Sequence, residues 1–327
     1  MTIQHISFKA IRTDPKWKYQ FDEEDPILNK SLKLTGVLSP LVLLHDKDEY
    51  AILDGFKRHR FLKDNAAVKV PAFLYSNQQA KEGLLHSLAL NETRHPLTTI
   101  EKSNVVKLTR SFNGDEDFQN KVCDFLDIPF KRQFIQKYLT INAFAEKAKH
   151  YFHEYQFSLR QIDRVIPVSI ESLLSWINLA EELHIKAQEF VQLVETIWDI
   201  SIRENIAIDQ LYHAFKVDEL LRPQSTAQQK SANLKNFLHQ KRYPMLNNIQ
   251  EKMTHQFERV QKYGQLPMKL SWDKTLEQSG YWLNIHLEHQ NSVDQLKTSF
   301  ESPELRSDLK KLFKIIMNNP EDSNETT

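Results

Sequence analysis

The sequence predicts an α+β protein that is predominantly helical. It divides into a small mixed sheet near the N-terminus, a helical domain with a helix-turn-helix, and a small C-terminal α/β unit. Three observations carry this. Short apolar runs bounded by turn residues, Ala51-Ile52-Leu53 and Val68–Tyr75, alternate with helical segments early in the chain. The middle third carries apolar residues at helical spacing, as in Val105, Leu108 and Phe112. Near the C-terminus, Met268–Trp272 and Tyr281–Leu287 alternate as strands around the turn Gln278-Ser279-Gly280.

The N-terminal elements follow in order. Ser31–Thr35 reads as the end of a helix closed by Gly36, with a strand starting after Pro40. Tyr50–Leu53 is a buried strand that runs through Asp54-Gly55 into a helix opening on Lys57, Arg58 and Arg60. Gly55 is one of only 6 glycines, so its placement is informative. A glycine lets backbone N–H groups approach a ligand, and a helix N-terminus carries partial positive charge, so this turn suits a phosphate. An ordinary strand-to-helix turn with a solvated basic face is the competing reading. Another strand at Val68–Tyr75 and a helix over Gln78–Glu92 complete the region.

Three segments in this order resemble the N-terminal domain of the ParB/sulfiredoxin superfamily. "GVLSPLVLL" resembles its Gly-x-x-Gln-Pro turn, and "LDGFKRHRFLK" its Gly-Glu-Arg-Arg loop or the Asp-Gly-x-x-Arg variant. "LNETRHPLTTIEKS" resembles its Glu-Asn-x-x-Arg segment. In ParB clamps these loops bind CTP and magnesium. The resemblance therefore implies a nucleotide or phosphate site at Gly36, Ser39, Gly55, Lys57, Arg58, Asn91 and Arg94, with Asn91 beside Mg2+. The departures matter. Ser39 replaces Gln, Phe56 and Lys57 replace Glu and the first Arg, and Leu90 replaces the usual Glu. A carboxylate is the customary hard ligand for magnesium, and Leu90 supplies none, so hydrolysis of CTP is expected to be weak or absent. Sulfiredoxin chemistry needs a cysteine in the phosphate loop, whereas the only cysteine is Cys123, in an apolar helical stretch.

Glu101–Phe112 reads as a helix, broken at Asn113-Gly114-Asp115. Asp117–Leu126 is a second, and a third starts near Lys131 with Phe134, Ile135, Tyr138 and Leu139 at helical spacing. Short helix, tight turn and amphipathic helix make a helix-turn-helix pattern. Its second helix would present Lys131, Arg132, Gln133, Gln136 and Lys137 to double-stranded DNA. Arginine and glutamine suit guanine and adenine edges. A solvated helical bundle is the bland alternative. Ser158 starts a further helix, and Trp176 and Trp198 read as core.

Arg222–Ser231 is polar and proline-broken and reads as a linker, followed by a long basic helix around Ala232–Tyr263, interrupted near Pro244. Helices at Ser292–Phe300 and Pro303–Met317 close the last domain, whose hairpin suits dimerisation or protein contact. The expected organisation is 1–97 ParB/sulfiredoxin-like, 98–222 helical, 223–240 linker and helix start, 241–317 small α/β, and 318–327 a disordered tail.

Composition bounds the function. The chain of 327 residues is 40% hydrophobic and formally neutral, with 43 basic and 43 acidic residues. A DNA binder must therefore concentrate its cations locally. No apolar run reaches the ~18 residues of a membrane span, and Met1–His5 begins no secretion leader, so no membrane association is expected. One cysteine suits a reducing compartment. The pairs His150/His153 and His286/His289 lack a completing ligand set, so no zinc or redox cofactor is expected. The resulting reading is a cytoplasmic, nucleoid- or plasmid-associated homodimer, ParB-like, working in partition with a ParA-type ATPase or in transcriptional control. The alternatives are a small-molecule phosphotransferase of the same superfamily, which the Asp54-Gly55-x-x-Arg58 loop also resembles, and a degenerate protein-contact module.

Overall fold

The computed structural model describes residues 2–21, 26–47, 49–92, 96–112, 114–221, 225–263, 267–274, 278 and 280–317. The expected break at Asn113, the linker residues Arg222–Gln224, the turn residue Ser279 and the 318–327 tail lie outside them. The chain is α+β and mostly helical, with a mixed five-stranded sheet and a separate two-stranded one. It forms two compact units, residues 1–195 with 207–215, and residues 196–206 with 216–327.

In the first unit the strands are β1 (Ile3–Ser7), β2 (Ile11–Arg12), β3 (Leu41–Asp46), β4 (Glu49–Asp54) and β5 (Lys69–Ser76). Their order across the sheet is β1-β5-β3-β4-β2. β1 and β2 have no counterpart in the sequence pattern. Most of β1 is exposed and β2 has two residues, so neither shows a period. β3 runs antiparallel to β4 and parallel to β5. Alternation along β3 sends Val42 and Leu44 to one face and Leu41 and Leu43 to the other. Both faces are buried, which is why the strands read as continuous apolar runs.

Three helices complete the sheet domain: α1 (Pro26–Thr35), α2 (Phe56–Asp64) and α3 (Ala80–Glu92). Leu84 and Leu88 of α3 pack with Val42, Leu44 and Leu53, while Leu62 of α2 packs on the opposite face and Phe56 touches both cores. The face served by α3 continues into the helical part, α4 (Thr99–Arg110), α5 (Glu116–Phe125) and α6 (Arg132–Asn142). Val105, Leu108, Val122, Leu126 and Tyr138 share one core with the sheet. α4 starts in a full capping box, Thr98 with Glu101. Beyond it, α7 (Glu146–Glu154), α8 (Leu159–Val165), α9 (Leu174–Glu182), α10 (Ala187–Glu204) and α11 (Ile208–Ala214) gather around Tyr151, Phe152, Phe157, Phe190 and Trp176. The Trp176 indole donates to the Ile208 carbonyl at 3.2 Å, which fixes that ring as core. Trp198 departs from expectation. It is 38% exposed, while Ile197 and Ile200 of the same helix are buried.

The second unit contains α12 (Val217–Leu220), α13 (Ala227–Arg242), α14 (Pro244–Tyr263), β6 (Met268–Trp272), β7 (Tyr281–Ile285), α15 (Asn291–Glu301) and α16 (Pro303–Met317). α13 begins earlier than expected. Thr226 and Gln229 form a capping box, so residues 227–231 are helix and not linker. The break at Pro244 is present, as Tyr243 leaves helical geometry there. Met253, Val260, Met268, Leu270, Leu305 and Leu312 form the core of this unit.

Two glycines carry the turns that flank the sheet. Gly55 holds φ +99°, and an added Cβ would press into Leu41 Cδ2 and lie 3.2 Å from the Arg58 guanidinium. Gly36 holds φ +69° in open space. Gly55→Ala is therefore expected to cost about 2–4 kcal/mol, from backbone strain plus overpacking, and Gly36→Ala only about 1 kcal/mol. Chemical denaturation of the two variants tests this. Equal losses would show that the Leu41 contact relaxes freely.

Candidate functional site

The antiparallel pairing of β3 and β4 places the start of one strand beside the end of the other, with Val42 opposite Asp54. The Gly36–Pro40 turn that enters β3 and the Gly55 turn that leaves β4 thus meet at one end of the sheet. α3 completes the corner. The stripe that buries Leu84 and Leu88 also buries Asn91 one turn later, which aims that amide at Asp54. The result is a cleft of about 430 Å3. Gly36, Ser39, Gly55, Lys57, Arg58 and Asn91 all line it. Arg94 lies outside the described residues.

Arg58 does not stand in the cleft as a solvated cation. Its side chain is 7% exposed and forms an ion pair with Asp54, itself 4% exposed. Its Nη1 donates to the carbonyl of Ser39 at 2.6 Å and to that of Pro40 at 2.8 Å. Sequence alone gives the charge of Arg58, while its burial is set by the strand ahead of it and the turn packed on it. The guanidinium acts first as a clamp between two loops. Such planar, multi-donor bonding suits arginine and not lysine.

Asp54 is held on its other oxygen as well. Asn91 Nδ2 donates to Asp54 Oδ1 at 2.8 Å and to the Tyr19 hydroxyl at 2.8 Å. Tyr19 is 2.8 Å from the Ser87 hydroxyl. Burial, and then the charge of Asp54, pushes the Tyr19 hydroxyl well above the ordinary tyrosine range, so it stays protonated. Sequence reasoning misses both Tyr19 and the neighbouring Lys18, which also lines the cleft. The only signal is the run Trp17-Lys18-Tyr19, a cation between two aromatics.

The remaining chemistry comes from backbone and Lys57. Helix α2 starts directly at the cleft, with Gly55 as its cap in the left-handed region and Phe56, Lys57 and Arg58 as its first turn. The first-turn N–H groups have no intrahelical acceptor, and with the helix dipole they favour an anion. Leu38, Ile27 and Phe56 give the same cleft an apolar side. Arg60 is exposed and is not among the lining residues.

The donor set is poor in ligands for magnesium. Asp54 pairs with Arg58 through one oxygen and accepts from Asn91 through the other, Asn91 offers only a neutral amide oxygen, and Leu90 packs against the core. Glu101, near the segment 19–21, receives the N–H of Phe21 and closes the cap of α4. Among the described residues no carboxylate at the cleft is left for a hard cation.

Away from the cleft, α5 and α6 are joined by a short turn in which Asp127 takes φ +54°. Lys131 is the cap residue of α6, and Lys131, Arg132, Gln133 and Gln136 are exposed. Tyr138 is buried, and Phe134 and Ile135 are half-buried. Lys137, expected to be exposed with its neighbours, is half-buried instead. Its Nζ pairs with Asp163 of α8 at 2.5 Å and lies 5.8 Å from the Phe134 ring centre. Cys123 of α5 is buried, and burial pushes its thiol up to about 11, away from the thiolate form that a nucleophile needs. His150 has company that sequence does not show. The fold brings Glu154 and Glu181 beside it, with ligand atoms within 4.8 Å of one another. Lys147 already pairs with Glu181 there.

No family model matches the chain, and no curated protein matches it. Among solved structures it is similar to a C-terminally truncated chromosome-partitioning protein ParB from Caulobacter crescentus complexed with CTP-gamma-S. That match has 16% identity over 54% of this chain and 99% of the other, with a TM-score of 0.26. A complex of the same protein with the centromeric parS site matches at 14% identity over 59% and 98%, TM-score 0.33. A Pnob8-like ParB-N domain matches at 15% over 56% and 84%, TM-score 0.36. Superpositions this loose transfer no ligand, so the binding properties of the cleft follow from its own residues.

The clamp makes a distinctive prediction. Arg58→Ala leaves Asp54 buried and unpaired, and is expected to destabilise the chain by about 3–5 kcal/mol. Lys57→Ala, one residue away on a half-buried position, should change stability by no more than about 0.5 kcal/mol. Equal and small effects in thermal denaturation would show that Arg58 is a ligand-facing cation after all.

Proposed function

We propose that this chain is a ParB-like DNA-binding protein gated by a nucleotide, CTP first, bound in the cleft at the end of the sheet. The observation that carries the reading is convergence. Residues from three separate segments, Gly36 and Ser39, Gly55–Arg58, and Asn91, line one cleft that joins a helix N-terminus to an apolar wall. An anion against backbone N–H groups and a planar ring against apolar side chains are what a nucleotide asks of a site. Lys57 and Lys18 supply the long-range charge, while Arg58 keeps the loops in place for it.

The second half of the reading is DNA recognition by α5 and α6 as a helix-turn-helix. The exposed set Lys131, Arg132, Gln133 and Gln136 at the start of α6 supports it. Lys137 contributes less, since its charge is partly neutralised by Asp163. On this reading the protein works as a homodimer in the cytoplasm, on nucleoid or plasmid, in partition beside a ParA-type ATPase or in transcriptional control. Its parts are a sheet domain at 1–97, the helical reader at 98–222 and a contact domain at 241–317. Hydrolysis is weak or absent, because no described carboxylate at the cleft is unengaged. The same fact weighs against a small-molecule phosphotransferase. Asp54 of the Asp-Gly-x-x-Arg loop is buried and committed to Arg58 and Asn91, a structural role and not that of a general base.

Calorimetric titration with each of the four nucleoside triphosphates, with and without magnesium, tests the gate. CTP is expected to bind best, with little dependence on magnesium, and Lys57→Ala to weaken it about tenfold while the fold is retained. No binding below millimolar concentration would make the cleft vestigial. For DNA, selection from a random duplex pool should enrich one motif. Arg132→Ala or Gln133→Ala should then relax preference at one position by about 1–3 kcal/mol. Lys131→Ala should weaken all duplexes alike and lower the salt dependence. A pool that enriches nothing, with retention untouched by these changes, leaves a protein-contact module as the better account.

A further inference from the structure

Along the chain His150 has no completing ligand set, but the fold supplies one. Glu154 lies one turn further along α7, with a carboxylate oxygen 3.9 Å from His150 Nδ1. Glu181 comes from α9, which packs against α7. One ligand atom from each of the three lies within 4.8 Å of the other two. Among the described residues no other set of three histidine, cysteine or carboxylate side chains converges in this way.

The frame under these side chains is rigid. Tyr151, next to His150, and Ala180, next to Glu181, are fully buried. The Tyr151 hydroxyl donates to the Ile185 carbonyl at 2.6 Å and ties α7 to the turn after α9. Phe21, which lines both the nucleotide cleft and a second cleft beside α4 and α7, sets its ring edge-on to His150 with centroids 6.2 Å apart. The ligands themselves are adjustable, since His150 and Glu154 are exposed and Glu181 is half-buried. Oxygen and nitrogen ligands about 2.0–2.2 Å from zinc stand roughly 3.4 Å apart in a tetrahedron, so small side-chain rotations close the set. Lys147 competes for Glu181, but this lysine is exposed and its pairing is weak in water. Lys149 is taken up by Glu146. Asp22-Glu23-Glu24-Asp25 follow Phe21 in the sequence. They lie outside the described residues and are not counted as ligands, and their charge favours a cation over an anion.

We infer that His150, Glu154 and Glu181 form a zinc site that joins α7 to α9. One imidazole nitrogen with two carboxylate oxygens is a mixed set that suits Zn2+, whereas Mg2+ and Ca2+ take oxygen ligands. Three protein ligands leave a fourth position for water. An ion held by two helices also stabilises their packing, because it binds the folded chain and not the unfolded one. The inference does not rest on the nucleotide or DNA readings. None of the three residues lines the nucleotide cleft or belongs to α5 or α6.

The test is calorimetric titration of the full, tag-free chain with zinc chloride in a buffer that does not chelate. A saturable phase of one ion per chain is expected, together with a rise in Tm. His150→Gln and Glu181→Gln should each weaken binding at least about tenfold. Lys147→Gln should strengthen it, because Glu181 is then released. His255→Gln is the control. His255 is exposed on α14 with Glu251 one turn before it, but it belongs to no converging set of three among the described residues. Its loss should leave the site unchanged. Every substituted position is exposed or half-buried, so circular dichroism should show the same fold in each variant. The inference is overturned if zinc gives no saturable phase, or if His255→Gln weakens binding as much as His150→Gln does. It is also overturned if Mg2+ binds over the same concentration range as Zn2+, which would mark a non-specific acidic surface.

Discussion

The buried ion pair between Asp54 and Arg58 organises the end of the sheet. Three pieces of backbone converge there: the exit of β4, the turn before β3 and the first turn of α2. Asn91 adds α3, and Tyr19 ties in the segment that runs past α4. The two charges are thus paired with each other and further hydrogen-bonded by their surroundings. That satisfies the condition under which a buried charge is tolerable. The αL geometry of Gly55 is part of the same constraint. A side chain at that position would press on Leu41 and on the guanidinium itself.

Two clefts border this knot, and the Lys18–Phe21 segment is common to both. That segment is anchored to α4 by Phe21 N–H on Glu101, at 3.3 Å, and by Asn104 on the Tyr19 carbonyl. Glu101 is at the same time the N3 partner in the capping box of α4. One carboxylate therefore holds both the start of the helical part and the strap that separates the clefts.

Much of the sheet domain is legible in the sequence because its signals are local. Gly36 and Gly55 mark turns, Pro40 marks a strand start, and the apolar runs between them are short and β-branched or aliphatic. The capping residues Thr98, Asp115 and Ser158 likewise sit where helices begin. The convergence of Gly36, Gly55 and Asn91 is expected from the resemblance, and the β3–β4 pairing supplies its physical reason. What escapes depends on tertiary environment. Arg58 looks like any basic helix opener until a carboxylate four residues earlier is buried with it. Lys137 looks solvated until α8 brings Asp163 to it. Trp198 looks like core because its spacing fits, but cover is a property of neighbours and not of spacing. The early start of α13 is a different case. The Thr226–Gln229 box is present in the sequence, and a polar composition conceals it.

The self-sufficiency of the Asp54–Arg58 pair has an evolutionary consequence. Folding by itself is enough to retain Asp54, Gly55 and Arg58, since losing any of them costs stability whether or not a ligand is bound. Lys57, which lines the cleft without taking part in the clamp, is under no such obligation. Substitution there alters the chemistry of the cleft while the pair that closes the end of the sheet stays fixed.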